Sequence, residues 1–424
     1  MSARVPHGGL LAIRPYRWLL ACRVGSQLGD GVFQAGLVGW LFFQPARQAT
    51  PGAAATAAAA SLLPYTVVGP FAGVILDRVR RSRTIVVANV VRAAVTVLIA
   101  AATVAQASVL LIGAAVLACL SLNRFFLAGQ TAGIPHTVPP RLVVSANAAT
   151  PTAGTIAAVA GGTAAATWMT WSGTTAGHSA TVLSLAACCY LASAGLTLPL
   201  GRDGLGPGRL RRPNGSALTV GLRQGFAHVY RHPVAKAALA AVVALRVAVG
   251  LLMIATLILA RNHLTDPATP QQGLGVLTAC GSAAGVGAVL AAVLTPTMTR
   301  RLGIRGWSQL VLGLAAAAMA AVVLAASTVL LVFVSAMAAM AAMAVKIGVD
   351  STLHATVEDR FRGRVFALYD AAFNAAFVVA AALAAVLLPA DGYSRTVFAF
   401  MALLLMGAAL VLRPVAVTAT APRS

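Results

Sequence analysis

Ile134-Pro-His-Thr-Val-Pro-Pro-Arg141 and Leu353-His-Ala-Thr-Val-Glu-Asp-Arg360 are two versions of one eight-residue stretch, with Thr, Val and Arg in the same register. Each copy closes one long apolar run and precedes another, and the copies lie 219 residues apart in a chain of 424. A repeat at half the chain length is the mark of a tandem duplication. The fold therefore reads as two similar halves, and the question becomes what medium those apolar runs occupy.

Composition answers it. Hydrophobic residues make up 59% of the chain and charged residues 9%. So few charges exclude a dispersed soluble domain of this length and point to a polytopic membrane protein. A helix needs about 20 apolar residues to cross a hydrocarbon core of about 30 Å. Twelve segments qualify: 17–43, 53–76, 84–105, 109–133, 143–170, 178–200, 234–260, 270–298, 306–326, 328–352, 364–388 and 394–412. They must be helices because hydrocarbon offers no partner to unpaired backbone groups. A barrel would need short alternating segments, which this chain lacks. The expected fold is thus all-α and integral to the membrane, with twelve transmembrane helices in two six-helix bundles related by pseudo-symmetry. The expected division is 1–200 for the first bundle, 201–232 for a cytoplasmic linker and 233–424 for the second. In an apolar chain, parallel halves of this kind imply a transporter with its substrate site near the midplane between them.

The net charge of +22 invites a nucleic-acid reading, and its distribution argues against one. With the N-terminus inside, the loop and tail cations gather on the cytoplasmic side, as at Arg78, Arg80, Arg81 and Arg83 or Arg360, Arg362 and Arg364. Arg47, Arg261 and Arg395 alone fall outside. This is the positive-inside bias, which sets both termini in the cytoplasm of a bacterial plasma membrane. Basic loops also attract anionic lipid headgroups. No basic stripe is interleaved with aromatics, so nucleic acid is not an expected partner.

The five cysteines lie inside predicted spans with no disulfide or metal spacing, and read as small apolar core residues. No Walker, HExxH, GxSxG or CxxC pattern occurs, so neither ATP-driven nor enzymatic chemistry has residues to carry it, and no cofactor is expected. Leu218, Leu222, Phe226 and Val229 recur at helical spacing after the linker. They form either a helix on the membrane surface or a loop helix packed on the bundle.

Gly69-Pro-Phe-Ala-Gly-Val-Ile-Leu-Asp-Arg-Val-Arg-Arg-Ser-Arg83 lies between the second and third spans. It resembles the Gly-x-x-x-Asp-Arg-x-x-Arg signature loop of the major facilitator superfamily, matched at Gly73, Asp77, Arg78 and Arg81. The resemblance implies a cytoplasmic gate, with Asp77 able to cap the positive N-terminal end of the eleventh span and Gly73 allowing close helix approach. The corresponding loop of the second half, Thr299-Arg-Arg-Leu-Gly303, has no aspartate. Arg124 followed by Gly129 looks like the family's second motif, which implies a role in proton coupling. Gly154, Gly161 and Gly162 partly resemble the glycine-rich antiporter motif, without its proline beside the glycine pair. Val357-Glu-Asp-Arg-Phe-Arg-Gly-Arg-Val-Phe-Ala-Leu-Tyr-Asp370 looks like the loop entering the eleventh span of bacterial macrolide- and siderophore-type exporters. The resemblance covers the whole chain and implies drug–proton antiport, with a monomer as the family default.

Charges within spans are costly and are functional candidates by default. Arg23, Gln27 and Asp30 share one face of the first span at spacings of four and three. Asp30 lies about 20 Å along that span, at 1.5 Å per residue, beyond snorkelling reach. It is the candidate proton carrier, against the alternative of a permanent structural pair with Arg23. Arg246, in the seventh span, could pair with Asp30 or hold an anionic substrate. Lys346 and Asp350 stand at i, i+4 and should pair as a gate salt bridge. Asp370 and Asn374 share a face of the eleventh span. Arg92 lies near an interface and could snorkel. The functional expectation is proton-coupled export of a small hydrophobic or amphipathic compound by alternating access. Two alternatives stand beside it: uptake or export of an anionic metabolite, and a non-transporting membrane sensor of the same fold.

Overall fold

The computed structural model describes residues 9–43, 52, 80–201, 204–206, 233–266, 269–356 and 359–412, except for some side chains within those ranges. The second predicted span, the signature-loop residues Gly73, Asp77 and Arg78, and the amphipathic stretch after the linker lie outside them. The described residues form ten α-helices and four 3₁₀ segments, with no strand among them. In chain order they are α1 (Arg14–Phe42), α2 (Arg81–Val104), α3 (Val109–Gly133), α4 (Val143–Ser172), α5 (Ala176–Thr197), α6 (Pro233–Asn262), α7 (Pro270–Leu324), α8 (Thr328–Thr356), α9 (Asp359–Leu387) and α10 (Arg395–Val411).

The boundaries follow local chemistry. Ser108, Thr175 and Ser394 cap α3, α5 and α10 by accepting from backbone N–H groups inside the first turn. Gly173, at φ 102°, ends α4 in a conformation that a β-carbon disfavours. Gly303, at φ 72°, breaks α7 and so separates the predicted spans 270–298 and 306–326. Six of the described helical segments are long and apolar enough to cross a membrane. Helices α1 and α4 are comparably long, at 29 and 30 residues, but more polar. Large apolar side chains stand outward on these helices, Leu110 84% exposed and Trp171 85%. Such surfaces suit lipid and not water.

The chain packs as two compact units: Met1–Pro213 with Ile258–Ser282, and Asn214–Leu257 with Ala283–Ser424. In the first unit, α1 packs between α4 and α5, and α2 between α5 and α3. Its core is built on Tyr16, Leu19, Cys22, Ile85, Phe126, Ile134 and Leu205. The end of α6 and the start of α7 join this unit locally. Gly273 backs onto the Phe43 ring, and the Thr163 and Ser282 hydroxyls are 3.0 Å apart. In the second unit Gly250 of α6 lies against Phe377 and Ala380 of α9, and Gly287 of α7 against the backbone of Ala336 in α8. Small residues at these crossings let backbones approach, as helix association in lipid requires.

Candidate functional site: a buried carboxylate in the first unit

Glycines on α1 decide where Asp30 points. A β-carbon at Gly31 would overlap the Ala158 carbonyl of α4, and one at Gly161 would overlap the Leu28 carbonyl. Gly29 lies against the ring of Tyr190, whose Cε1 would be 2.8 Å from an added β-carbon. With α4 and α5 drawn this close, Asp30 enters the space among α1, α2, α3 and α5, where it is 6% exposed.

Four donors converge there. Arg92 of α2 forms an ion pair with Asp30 Oδ1 through Nη2. The Tyr190 hydroxyl of α5 donates to the same oxygen at 3.0 Å. Gln27 Nε2 and Asn123 Nδ2 donate to Oδ2, the latter at 3.2 Å. The Arg92 guanidinium also lies 3.9 Å over the Tyr190 ring. An ion pair removed from water carries a desolvation cost of several kcal/mol per ion, which only good geometry and further hydrogen bonds offset.

A second layer holds the arginine. Arg92 Nη1 donates to Ser26 Oγ at 3.0 Å and Asn89 Oδ1 at 3.3 Å, and Asn89 Nδ2 donates to Ser193 Oγ at 2.8 Å. Ser193 donates to the Cys22 carbonyl at 2.7 Å, and Gln130 Nε2 reaches Cys22 Sγ at 3.1 Å. This polar chain crosses four helices at buried positions.

The sequence-derived candidates fall into separate groups. Asp30 and Gln27 are in the network. Arg23 is turned toward α4, where a β-carbon on Gly154 would sit 2.8 Å from its Nε, so the cation on Asp30 is Arg92 and not Arg23. Arg124 is half-buried on α3, one residue past the network's Asn123. In the second unit the Arg246 guanidinium lies 4.2 Å from the Phe373 ring centre and 4.7 Å from that of Phe377. Asn374 is buried nearby on α9. Asp370 lies on α9, with its side chain outside the described set. Lys346 and Asp350 pair at 2.7 Å on a partly exposed face of α8. Of the four matched signature positions only Arg81 is described, and its Nη1 donates to the carbonyls of Ala132 and Leu205 at 3.0 and 3.1 Å. Phe126 is packed in the core of the first unit.

One turn beyond Asp30, a cavity of about 290 Å³ is lined by Gly31, Gln34, Gly162, Thr163, Thr278 and Gly281, all within the first unit. Its walls are small residues with a few hydroxyl and amide groups, which suits an apolar guest with few polar contacts. No cluster of metal-ligating side chains occurs among the described residues.

Solved structures share this architecture. A mutant of the nucleoside transporter NupG matches with a TM-score of 0.72 at 14% identity, covering 94% of this chain and 98% of that one. A mutant of a peptide transporter, POT, matches with a TM-score of 0.73 at 13% identity, covering 96% and 95%. The fold is the all-α, polytopic fold of those membrane transporters. No family model matches the chain. Uncharacterized MFS-type transporters of Mycobacterium bovis and Mycobacterium tuberculosis are each 36% identical to it over 407 residues, 93% of this chain and 90% of theirs. The chain belongs to the major facilitator superfamily.

Proposed function

We propose that this transporter exports small hydrophobic or amphipathic compounds in exchange for protons, with Asp30 as the carboxylate that carries the proton. One observation carries the reading: Asp30 is the one buried carboxylate among the described residues, and its partners are drawn from three other helices. Protonation would neutralise Asp30 and leave Arg92 as an uncompensated buried cation. That state is costly in low dielectric, so proton binding and the packing of α1 on α2 must be coupled. The apolar cavity one turn away supports a hydrophobic substrate.

In this reading the halves 1–200 and 233–424 rock about a midplane site, joined by the linker 201–232. Both termini are cytoplasmic, the membrane is the bacterial plasma membrane, and one chain suffices. Asp77, Arg78 and Arg81 serve the cytoplasmic gate with Lys346 and Asp350. Arg124, Asp370 and Asn374 are secondary members of the coupling machinery.

A second reading rests on Arg246, a cation framed by the Phe373 and Phe377 rings. The paired N–H donors of its guanidinium suit an organic anion such as a carboxylate. Purified protein in liposomes with a pH dye inside separates the two. Proton release triggered by neutral or cationic hydrophobic drugs supports export by antiport. Competition by organic anions alone supports the second reading. Movement of neither protons nor solute under any gradient would favour a non-transporting sensor.

A further inference from the structure

The two oxygens of Asp30 are not equivalent. Oδ1 is held by Arg92 and Tyr190. Oδ2 is held by the amides of Gln27 and Asn123. A guanidinium has no acceptor and stays a donor at every accessible pH. A carboxamide carries a donor and an acceptor on one rotatable group and exchanges them by turning. Asn123 is 5% exposed, and its Oδ1 is a buried atom without a hydrogen-bond partner. An orphaned buried acceptor costs free energy and calls for an explanation. Its place beside the carboxylate supplies one.

We propose that Asp30 takes its proton on Oδ2 and that Asn123 turns its amide so that its own Oδ1 accepts the new O–H. The inference rests on Asp30 being the proton carrier. An aqueous proton, arriving as hydronium, forms the O–H bond at Oδ2 and leaves water behind. The charge of the Asp30–Arg92 pair rises from zero to plus one. Asn123 ceases to donate to Oδ2 and becomes the acceptor, so its orphaned oxygen is unsatisfied only while Asp30 is ionised. Asn123 is thus a positioning residue for the proton. The other ionisable groups around the site are Arg92 on α2, Tyr190 and Cys189 on α5, Arg23 and Cys22 farther along α1, and on α3 Arg124 and Cys119, the last lying 3.7 Å from Thr96 Oγ1. Helix α4 has no titratable side chain. Tyr190 and Cys119 also carry acceptor atoms, but Tyr190 sits on Oδ1 and Cys119 pairs with Thr96, whereas Asn123 faces Oδ2 with a buried acceptor that has no partner.

Infrared difference spectroscopy of the full-length protein in liposomes tests this, with acidification as the only perturbation. Wild type should gain a carboxylic C=O band that Asp30→Asn lacks. In Asn123→Leu that band should move to higher frequency, because the O–H has lost its acceptor; in Gln27→Leu it should stay in place. Carbonyl-¹³C asparagine labelling of the unsubstituted protein provides the same test without a core substitution. A side-chain amide band should shift on acidification and stay still in Asp30→Asn. A C=O band indifferent to Asn123→Leu, or one that follows Gln27→Leu instead, would overturn the proposal. If no Asp30-dependent band appears on acidification, Asp30 is not the carrier, and the underlying reading fails with it.

Discussion

Tyr190 serves both members of the buried ion pair: its hydroxyl donates to Asp30 Oδ1 at 3.0 Å while its ring lies 3.9 Å beneath the Arg92 guanidinium. Gly29 backs the same ring, so α1 and α2 meet α5 at one side chain. Removing the hydroxyl and removing the ring should therefore have separable effects. Tyr190→Phe should lower stability by about 1.5–3 kcal/mol, the range for hydrogen bonds to charged groups. Tyr190→Leu should cost more, because the cation–ring contact is lost as well. Thermal unfolding of both purified variants checks the order; equal stability would mean that the hydroxyl contributes nothing to the pair.

Arg92 is the counter-ion of Asp30, and its loss strands a buried carboxylate. Arg92→Leu should destabilise the protein by about 3–5 kcal/mol, the usual penalty for breaking a buried pair from one side. Adding Asp30→Asn should recover much of that loss, because no charge is then left unpaired. The double-variant cycle is read by thermal unfolding. Simple additivity would show that the two side chains do not interact.

Helix α4 offers a sharp comparison on neighbouring glycines. A β-carbon at Gly161 overlaps the Leu28 carbonyl, whereas one at Gly162 finds Gly31 O at 3.4 Å, an ordinary contact. Gly161→Ala should cost about 1–3 kcal/mol, as overpacking does, and Gly162→Ala should be close to neutral. Equal sensitivity of the two sites would mean that α1 and α4 do not cross at this register.

Arg81 binds the carbonyl ends of two segments, Ala132 in the last turn of α3 and Leu205 at the start of the linker. Leu205 is itself buried against Gly133. Arg81→Ala should loosen residues 204–206, with amide hydrogen exchange there rising several-fold and the centre of α3 unchanged. Unaltered exchange at Leu205 would leave Arg81 with a role in topology alone.

Much of this fold is legible in sequence for one physical reason: a membrane helix must be long, apolar and uninterrupted, so hydropathy alone marks it. The breaks are legible as well, since Gly173 and Gly303 adopt conformations that glycine favours. Asp30 stands out because a carboxylate inside a span is costly. Its partner is not legible. Spacing on α1 favours Arg23, which shares a face with Asp30 in an isolated helix, yet Arg23 turns to Gly154 of α4 and Arg92 approaches from α2. Helix-to-helix pairing is what chooses between them, and one sequence does not encode it openly. A clue was present: Asn89, Arg92 and Thr96 form a polar stripe at helical spacing in the apolar middle of α2, and all three are buried. Asn123 and Tyr190 carry no such signal, because an isolated polar residue in a span reads as packing until its neighbours are known.

Proton movement in liposomes, compared between wild type and Asp30→Asn, tests the central claim most directly. With a pH dye inside and a panel of hydrophobic drugs outside, wild type should move protons when a drug is added, and Asp30→Asn should not, although it remains folded. Asp350→Asn, which breaks the partly exposed α8 pair assigned to the gate, should still move protons when a drug is added, although at an altered rate. Drug-triggered proton movement of equal size in wild type and Asp30→Asn would contradict the account and leave the Asp30–Arg92 pair as structure only.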